Sequence, residues 1–326
     1  MKYIIIGTGN ISNTYVHALS EIQDCELVGC VSRSGNPLSA NPQIPSWPNL
    51  DSVPVDFDSV IVATPNGLHC EGIMAAAKRG KHVLTEKPLG IKMEEMERAI
   101  AVCEEKKLTL AVAYQRRTAP DNQAVKALIE QGVLGNIFAV DLAAKFYRDQ
   151  AYYDSADYRG GYSIDGGGPF MQQACHNIDI YVWFFGLPIQ VASMMNTFTH
   201  QIEAEDHGAA LLKHSNGMIG TIVASTSAKP GFAARLEVHS DKGSFTMIDD
   251  RITAWHFEDI PNPGNSNFQY QHDGATSASV SDTSAHKKII SDFEKVSKQG
   301  GEPIAGGKSA KATTELILAI YRSALK

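Results

Sequence analysis

The strongest constraint on this chain is an alternation in its first third. Short apolar runs each end in a turn that opens an amphipathic stretch. Tyr3-Ile4-Ile5-Ile6 is the first, a continuous apolar run suited to a strand covered on both faces. Gly7-Thr8-Gly9-Asn10-Ile11-Ser12 follows and opens a helical stretch to about Ile22. Cys25–Val31, Ser59–Ala63, His82–Leu84 and Leu110–Ala113 repeat the pattern, with helices predicted over about 70–79 and 93–107. Residues 35–56, rich in Pro, Asn and Ser, read as a long loop. Five strands alternating with helices up to about residue 118 predict a doubly wound parallel sheet, an α/β Rossmann domain.

The loops at the carboxyl ends of these strands carry the chemistry, because open α/β sheets bind ligands there. Gly7 permits a tight turn, and Gly9 lets the backbone approach a pyrophosphate at the helix N-terminus. Ser12 replaces the third glycine of the usual pattern with another small residue. Glycines used for turn geometry alone would look similar, but strand, turn and helix in this order favour a dinucleotide. Gly7, Thr8, Gly9, Asn10 and Ile11 are therefore cofactor candidates. The second strand ends in Ser32-Arg33-Ser34, with no carboxylate to receive a ribose 2′-hydroxyl. A guanidinium and two hydroxyls suit a 2′-phosphate, so the expected cofactor is NADP, with NAD possible if Arg33 only stacks on adenine.

Thr64, Pro65, Asn66 and His69 lie on the next such loop and are candidates for the nicotinamide side. Asn66 and His69 also read as a turn residue and a helix cap. His82–Leu84 delivers Thr85-Glu86-Lys87-Pro88-Leu89-Gly90. Pro88 biases Lys87 away from helical backbone angles, which leaves a cation on a constrained loop rather than on a helix. Glu86, Lys87 and Gln115 complete the cofactor set.

After residue 118 the pattern changes. A helix over Pro120–Gln131 precedes extended segments over 136–146, 189–199, 209–213, 218–225, 235–239, 243–248 and 252–256. Asn216-Gly217 and Asp241-Lys242-Gly243 are hairpin signals. An α+β domain over 119–326 with a large, mostly antiparallel sheet is expected, its uncovered face pairing copies into a homodimer or homotetramer. One helix is predicted within Gly166–Gly186, with Gln172 and His176 four apart on one face and Asp179 three beyond. A polar stripe in an apolar helix must be paired or line a cavity, so it reads either as a substrate site or as a buried histidine bonded to Asp179. Arg159, Tyr158, Lys145 and Arg117 are further candidate substrate contacts that read equally as surface residues. Pro261–Ser281 is polar and low in pattern; helices over about 283–298 and 309–324 close the chain, the last a candidate to return to the first domain.

Composition bounds the alternatives. A length of 326 residues suggests two domains, and 43% hydrophobic with 20% charged residues is an ordinary globular balance. A net charge of −7 disfavours nucleic acid or anionic membrane as partner. No apolar run approaches the roughly 18 residues of a membrane span. The N-terminal apolar run is too short for a signal peptide. Cys25, Cys30, Cys70, Cys103 and Cys175 are scattered, so no metal site is expected and the setting reads as reducing and cytoplasmic.

Taken in order, these motifs resemble the glucose–fructose oxidoreductase/inositol dehydrogenase (Gfo/Idh/MocA) family. The resemblance runs through Gly7–Ser12, Ala63-Thr64-Pro65-Asn66 with His69, Glu86-Lys87-Pro88, Gly166-Gly167-Gly168 leading to His176-Asn177-Ile178-Asp179, and Glu302-Pro303 before the closing helix. It implies a dinucleotide on the first domain, a sugar-like substrate on the second, and hydride transfer at a ring carbinol or carbonyl. By the same resemblance Lys87 contacts the reacting oxygen and His176 is the general acid/base. Asp179 holds substrate or orients the histidine, and Glu86 borders the nicotinamide ribose. Inositol-dehydrogenase-like members carry an aspartate four residues before the histidine, where this chain has Gln172, as in a branch with sugar-nucleotide dehydrogenases. Non-catalytic sensors of dinucleotide or sugar, NAD-dependent glycoside-cleaving enzymes and reductases of non-sugar substrates share the fold and remain as alternatives.

Overall fold

The computed structural model describes residues 1–264 and 282–324, so most of the low-pattern Pro261–Ser281 segment lies outside the described residues. The chain divides into two units, Met1–Gln115 with Val280–Lys311, and Arg116–Ser279 with Ala312–Lys326. The first contains a six-stranded sheet of β1 (Lys2–Ile6), β2 (Glu26–Val31), β3 (Ser46–Trp47), β4 (Ser59–Val62), β5 (His82–Thr85) and β6 (Leu110–Val112). Its order is β3-β2-β1-β4-β5-β6 and every pairing is parallel. Order reverses between β1 and β4, the switch point where such sheets bind ligands. Ile4, Ile5, Val60, Ile61, Val83 and Leu84 are fully buried, each contributing about 1.5–3 kcal/mol of apolar burial. Helices α1 (Asn10–Ser20), α2 (His69–Lys78) and α3 (Met93–Glu105) alternate with the strands. The stretch 35–56 is not all loop: β3 adds a strand there because Ser46 and Trp47 pair with Cys30 and Val31.

The second unit holds α4 (Pro120–Glu130), β7 (Ile137–Lys145), α5 (Gln150–Asp154), α6 (Cys175–Phe185) and six further strands. These are β8 (Gln190–Asn196), β9 (His207–Lys213), β10 (Ile219–Ser225), β11 (Arg235–Ser240), β12 (Gly243–Ile248) and β13 (Arg251–Phe257). The sheet runs β13-β12-β11-β7-β10-β9-β8, parallel at β7/β10 and antiparallel elsewhere. Alternation sets its two faces: Val140, Leu142 and Ala144 of β7 are buried, while Asp141 and Lys145 are exposed. α6 packs on the buried face, where the Tyr181 hydroxyl meets His214 Nε2 at 2.9 Å.

Two expectations change. The helix expected from the glycine triplet to Gly186 begins only at Cys175. Residues 168–174 form a separate turn, with the Gln172 amide donating to the Gly168 carbonyl and the Ala174 amide to that of Pro169. Gln172 therefore does not share a helical face with His176. The sequence also assigns 119–326 to the second domain, with the final helix over about 309–324 a candidate to pack back on the first. Instead α7 (Ser284–Gln299) belongs to the first unit and packs on α1. Phe293 is buried 6.5 Å from the Tyr3 ring, and Glu294 accepts from the Tyr3 hydroxyl at 3.2 Å. The final helix α8 (Gly307–Ala324) groups with the first unit to Lys311 and with the second thereafter.

Candidate active site

In the first unit the glycine turn is built for close approach. Gly7 has φ +100°, and a Cβ there would lie 2.6 Å from the Ala63 carbonyl oxygen. A Cβ at Gly9 would meet nothing within 4 Å, and no side chain caps α1. The head of α1 therefore carries no side-chain cap that an anion would have to displace. Ser12 is fully buried and its hydroxyl donates to the Gly9 carbonyl at 2.5 Å, so it closes the turn in place of a third glycine. Thr8 reaches Ser32 at 3.4 Å, and Ser32 lies 3.1 Å from the Ser34 hydroxyl. Ser32 is buried; Arg33 and Ser34 are exposed at the end of β2. These residues fit a dinucleotide, and Gln115 stands half-buried just beyond β6 on the same sheet edge.

His69 is not open to a ligand. It is fully buried, with Nδ1 2.6 Å from the Pro88 carbonyl oxygen and Nε2 2.8 Å from that of Thr64. The ring thereby stands between the Thr64-Pro65-Asn66 loop and the Lys87-Pro88 loop. Burial holds its pKa below the usual histidine value, and the neutral ring donates its one N–H to either carbonyl according to its tautomer. Glu86 is likewise committed inward. Its Oε1 accepts from the Tyr15 hydroxyl at 2.7 Å and its Oε2 from the Lys87 amide at 3.1 Å. His286 of α7 stands 4.0 Å from the same carboxylate and edge-on to Tyr15. Burial, then the Glu86 charge, pushes the Tyr15 hydroxyl far above its ordinary range, so it stays a donor. Lys87, half-buried, thus leaves a loop fixed from both sides at the carboxyl end of β5.

In the second unit His176 is half-buried in the first turn of α6. Asp179 does not serve it. The Arg117 fork donates to both Asp179 oxygens, Nε to Oδ2 at 2.8 Å and Nη2 to Oδ1 at 2.6 Å. The Thr313 hydroxyl adds a third bond at 2.8 Å. Asp179 is fully buried and Arg117 is 1% exposed, so both expected substrate contacts form an internal ion pair. Gln172 donates from Nε2 to the Asp165 carbonyl at 2.6 Å and so fastens the loop before the glycine triplet. Lys145 lies on the exposed face of β7, opposite the face that carries α6. Tyr158 and Arg159 are half-buried on the loop after α5, the guanidinium 6.0 Å from the Tyr158 ring.

Sequence reading missed the groups that shape the His176 segment. Glu205 is 2% exposed and receives the Gly168 amide at 3.2 Å, the Phe170 amide at 3.4 Å and the Tyr321 hydroxyl at 2.9 Å. Burial pushes its pKa up to about 7. A Cβ at Gly167 would lie 2.1 Å from the Tyr321 hydroxyl oxygen, and one at Gly168 1.8 Å from the Glu205 carbonyl oxygen. The triplet thus lets its backbone lie directly on this pair. The only local signal was a Glu205-Asp206 doublet between Ala204 and a strand. Among the described residues, no group of three or more His, Cys, Asp or Glu is placed to hold a metal ion.

Comparison with known proteins agrees with this fold. A family model described as an oxidoreductase family with an NAD-binding Rossmann fold matches residues 1–114. One described as the GFO/IDH/MocA C-terminal domain matches residues 122–246. The rhizopine catabolism protein MocA of Rhizobium meliloti is 27% identical over 73% of this chain and 75% of its own. The scyllo-inositol 2-dehydrogenase (NADP(+)) IolW of Bacillus subtilis is 30% identical over 58% of this chain and 51% of its own. The WlbA dehydrogenase from Bordetella pertussis, solved with NADH and UDP-GlcNAcA, superposes with a TM-score of 0.87 at 29% identity. That match covers 100% of this chain and 96% of the other.

Proposed function

The chain belongs to the GFO/IDH/MocA oxidoreductase family, and from that premise we propose that it interconverts a ring hydroxyl and a ketone of a sugar, cyclitol or sugar nucleotide. The observation that carries this reading is a half-buried lysine on a doubly tied loop, at the carboxyl edge of the sheet that also presents an uncapped glycine turn. The amides of Asn10 and Ile11 hold the pyrophosphate, and Arg33 with Ser34 holds a 2′-phosphate, making NADP(H) the preferred cofactor over NAD(H). When bound, the nicotinamide supplies the hydride acceptor or donor. Lys87 stabilises the developing alkoxide, a contribution of the class worth about 3–4 kcal/mol. His176 takes the hydroxyl proton in the oxidative direction and returns it in the other. Gln172 and Glu205 act as positioning residues for the turn that leads to His176.

Lys87→Met and His176→Ala test the assignment, each with dinucleotide binding measured separately by fluorescence titration. Both should bind cofactor and lose turnover; full turnover in either variant sinks the mechanism. We further propose that the open face of the second-unit sheet joins two copies. Met194, Leu211 and Ile219 are 85, 53 and 42% exposed on adjoining strands, an apolar face that a monomer leaves wet. Light scattering at micromolar concentration should give a dimer or tetramer, and a monomer refutes it. Among the described residues no helix is long and apolar enough to cross a membrane. We also propose a reducing, cytoplasmic setting, in keeping with five cysteines scattered along the chain.

A further inference from the structure

We infer that Arg159, stacked on Tyr152, anchors an acidic group carried by the substrate, a carboxylate or a phosphate. The inference rests on the carbohydrate dehydrogenase reading and narrows its substrate class. The Arg159 guanidinium lies 4.4 Å over the Tyr152 ring. Stacking uses the face of a guanidinium and leaves its N–H edges pointing outward in a fork that matches an oxyanion. The Arg159 Nε is buried with no hydrogen-bond partner among the described residues. Its platform is rigid: the Tyr152 hydroxyl receives Gln173 Nε2 at 3.1 Å, and the Tyr152 amide donates to the Asp149 cap at 2.9 Å.

A second guanidinium reinforces the field. Arg148 is 7% exposed and stands 5.7 Å from the same ring. Burial first, with the Arg159 charge contributing, draws the Arg148 pKa down from its ordinary value. Two cations converging on one tyrosine, in a chain of net charge −7, mark a local positive site that an arriving anion would relieve. Asp165 acts on the Tyr152 hydroxyl as a single carboxylate against the two guanidiniums, and its Oδ2 also accepts from the Gly160 amide at 3.0 Å. Gln173 adds direction. Its Oε1 is buried and has no hydrogen-bond partner among the described residues, so it offers an acceptor to a hydroxyl or N–H of the same ligand. Gln173 precedes His176 by three residues, which sets this acceptor and the proposed base on one short segment.

Isothermal titration of the full chain with D-glucose, D-glucuronate, UDP-glucose and UDP-glucuronate, each with NADP present, tests this. The wild type should bind at least one acidic probe about 10- to 100-fold more tightly than D-glucose, the range of a charge-assisted contact. Arg159→Gln should erase most of that preference and Arg159→Lys should restore part of it, both melting within a few degrees of wild type. A gain for glucuronate over glucose that is lost in Arg159→Gln identifies a carboxylate; a gain for UDP-glucose over glucose lost in the same variant identifies a phosphate. No acid preference in the wild type, or one unchanged in Arg159→Gln, overturns the inference. Turnover is read separately at 340 nm. Turnover of D-glucose without acid preference keeps the dehydrogenase reading and removes the anchor. Arg159-dependent binding with no turnover of any probe does the reverse.

Discussion

Replacing Glu205 by glutamine should remove one pH-dependent contribution to stability, so that the variant gains on the wild type as pH rises. The carboxyl is 2% exposed, and burial raises its pKa from 4.5 to about 7 despite two backbone amides and the Tyr321 hydroxyl that favour the ionised form. The unfolded chain releases this proton near 4.5 and the folded one near 7. Between those values the folded state binds more protons, so the stability tied to the group is complete below 4.5 and falls as pH rises through 7. The gap corresponds to about 3 kcal/mol by pH 8, since each tenfold change in proton affinity is worth about 1.4 kcal/mol. Glutamine carries no charge to desolvate. It keeps one carbonyl for the Phe170 amide and the Tyr321 hydroxyl, which share Oε1. The Gly168 amide, which donates to Oε2, loses its acceptor at every pH. Urea unfolding at pH 5, 6, 7 and 8 should show the stability of Glu205→Gln relative to wild type shifting in favour of the variant by about 1–3 kcal/mol from pH 5 to pH 8. A difference that stays constant across pH refutes the reasoning.

Four further outcomes follow from the same contacts. Asp179→Asn should cost about 3–5 kcal/mol in urea unfolding, because Arg117 would keep a buried charge without its counterion; a variant of wild-type stability that lost turnover would return Asp179 to the substrate. His69→Gln should lower kcat by about 100-fold by loosening the Lys87 loop, with dinucleotide affinity nearly unchanged; equal losses in both would make His69 a cofactor contact. Arg33→Ala should weaken NADP about 10- to 100-fold and leave NAD alone, and a parallel loss for both would remove the 2′-phosphate assignment. Gln172→Glu should lower turnover rather than create a new proton acceptor, and raised activity would contradict the role given to the amide.

The parallel sheet was legible because its strands are buried on both faces and read as unbroken apolar runs, from Tyr3–Ile6 to Leu110–Val112. The second sheet was legible through alternation and hairpin turns. β3 was not, since two residues among prolines and serines carry no periodicity, only the pairing of Ser46 and Trp47 with β2. The glycine turn after β1 and the strand ends of this sheet could be read for a related reason: they are local features. What failed was every inference from spacing to partnership. Three residues separate His176 from Asp179, yet Arg117 lies 62 positions from the aspartate and Thr313 lies 134, and those two hold it. Glu205 meets Tyr321 across 116 positions. Polar groups drawn into a core take whichever donor reaches them, and sequence order does not say which one that is.

This reasoning also explains the amide at position 172. The Gln172 Nε2 lies 2.6 Å from the Asp165 carbonyl oxygen, a position that only a hydrogen-bond donor can occupy. A carboxylate there would set one acceptor against another in a half-buried place and release the loop before the glycine triplet. An aspartate partner for the histidine therefore requires a different loop, not a single exchange at 172. With Asp179 bound to Arg117 and Glu205 turned toward Gly168, Phe170 and Tyr321, neither carboxylate has an oxygen committed to His176. Under the proposed reaction, Lys87 stabilises the developing alkoxide while His176 accepts the hydroxyl proton, two roles at one reacting oxygen. The two variants Lys87→Met and His176→Ala should then lose similar amounts of transition-state stabilisation, and their double variant should lose little more than either alone.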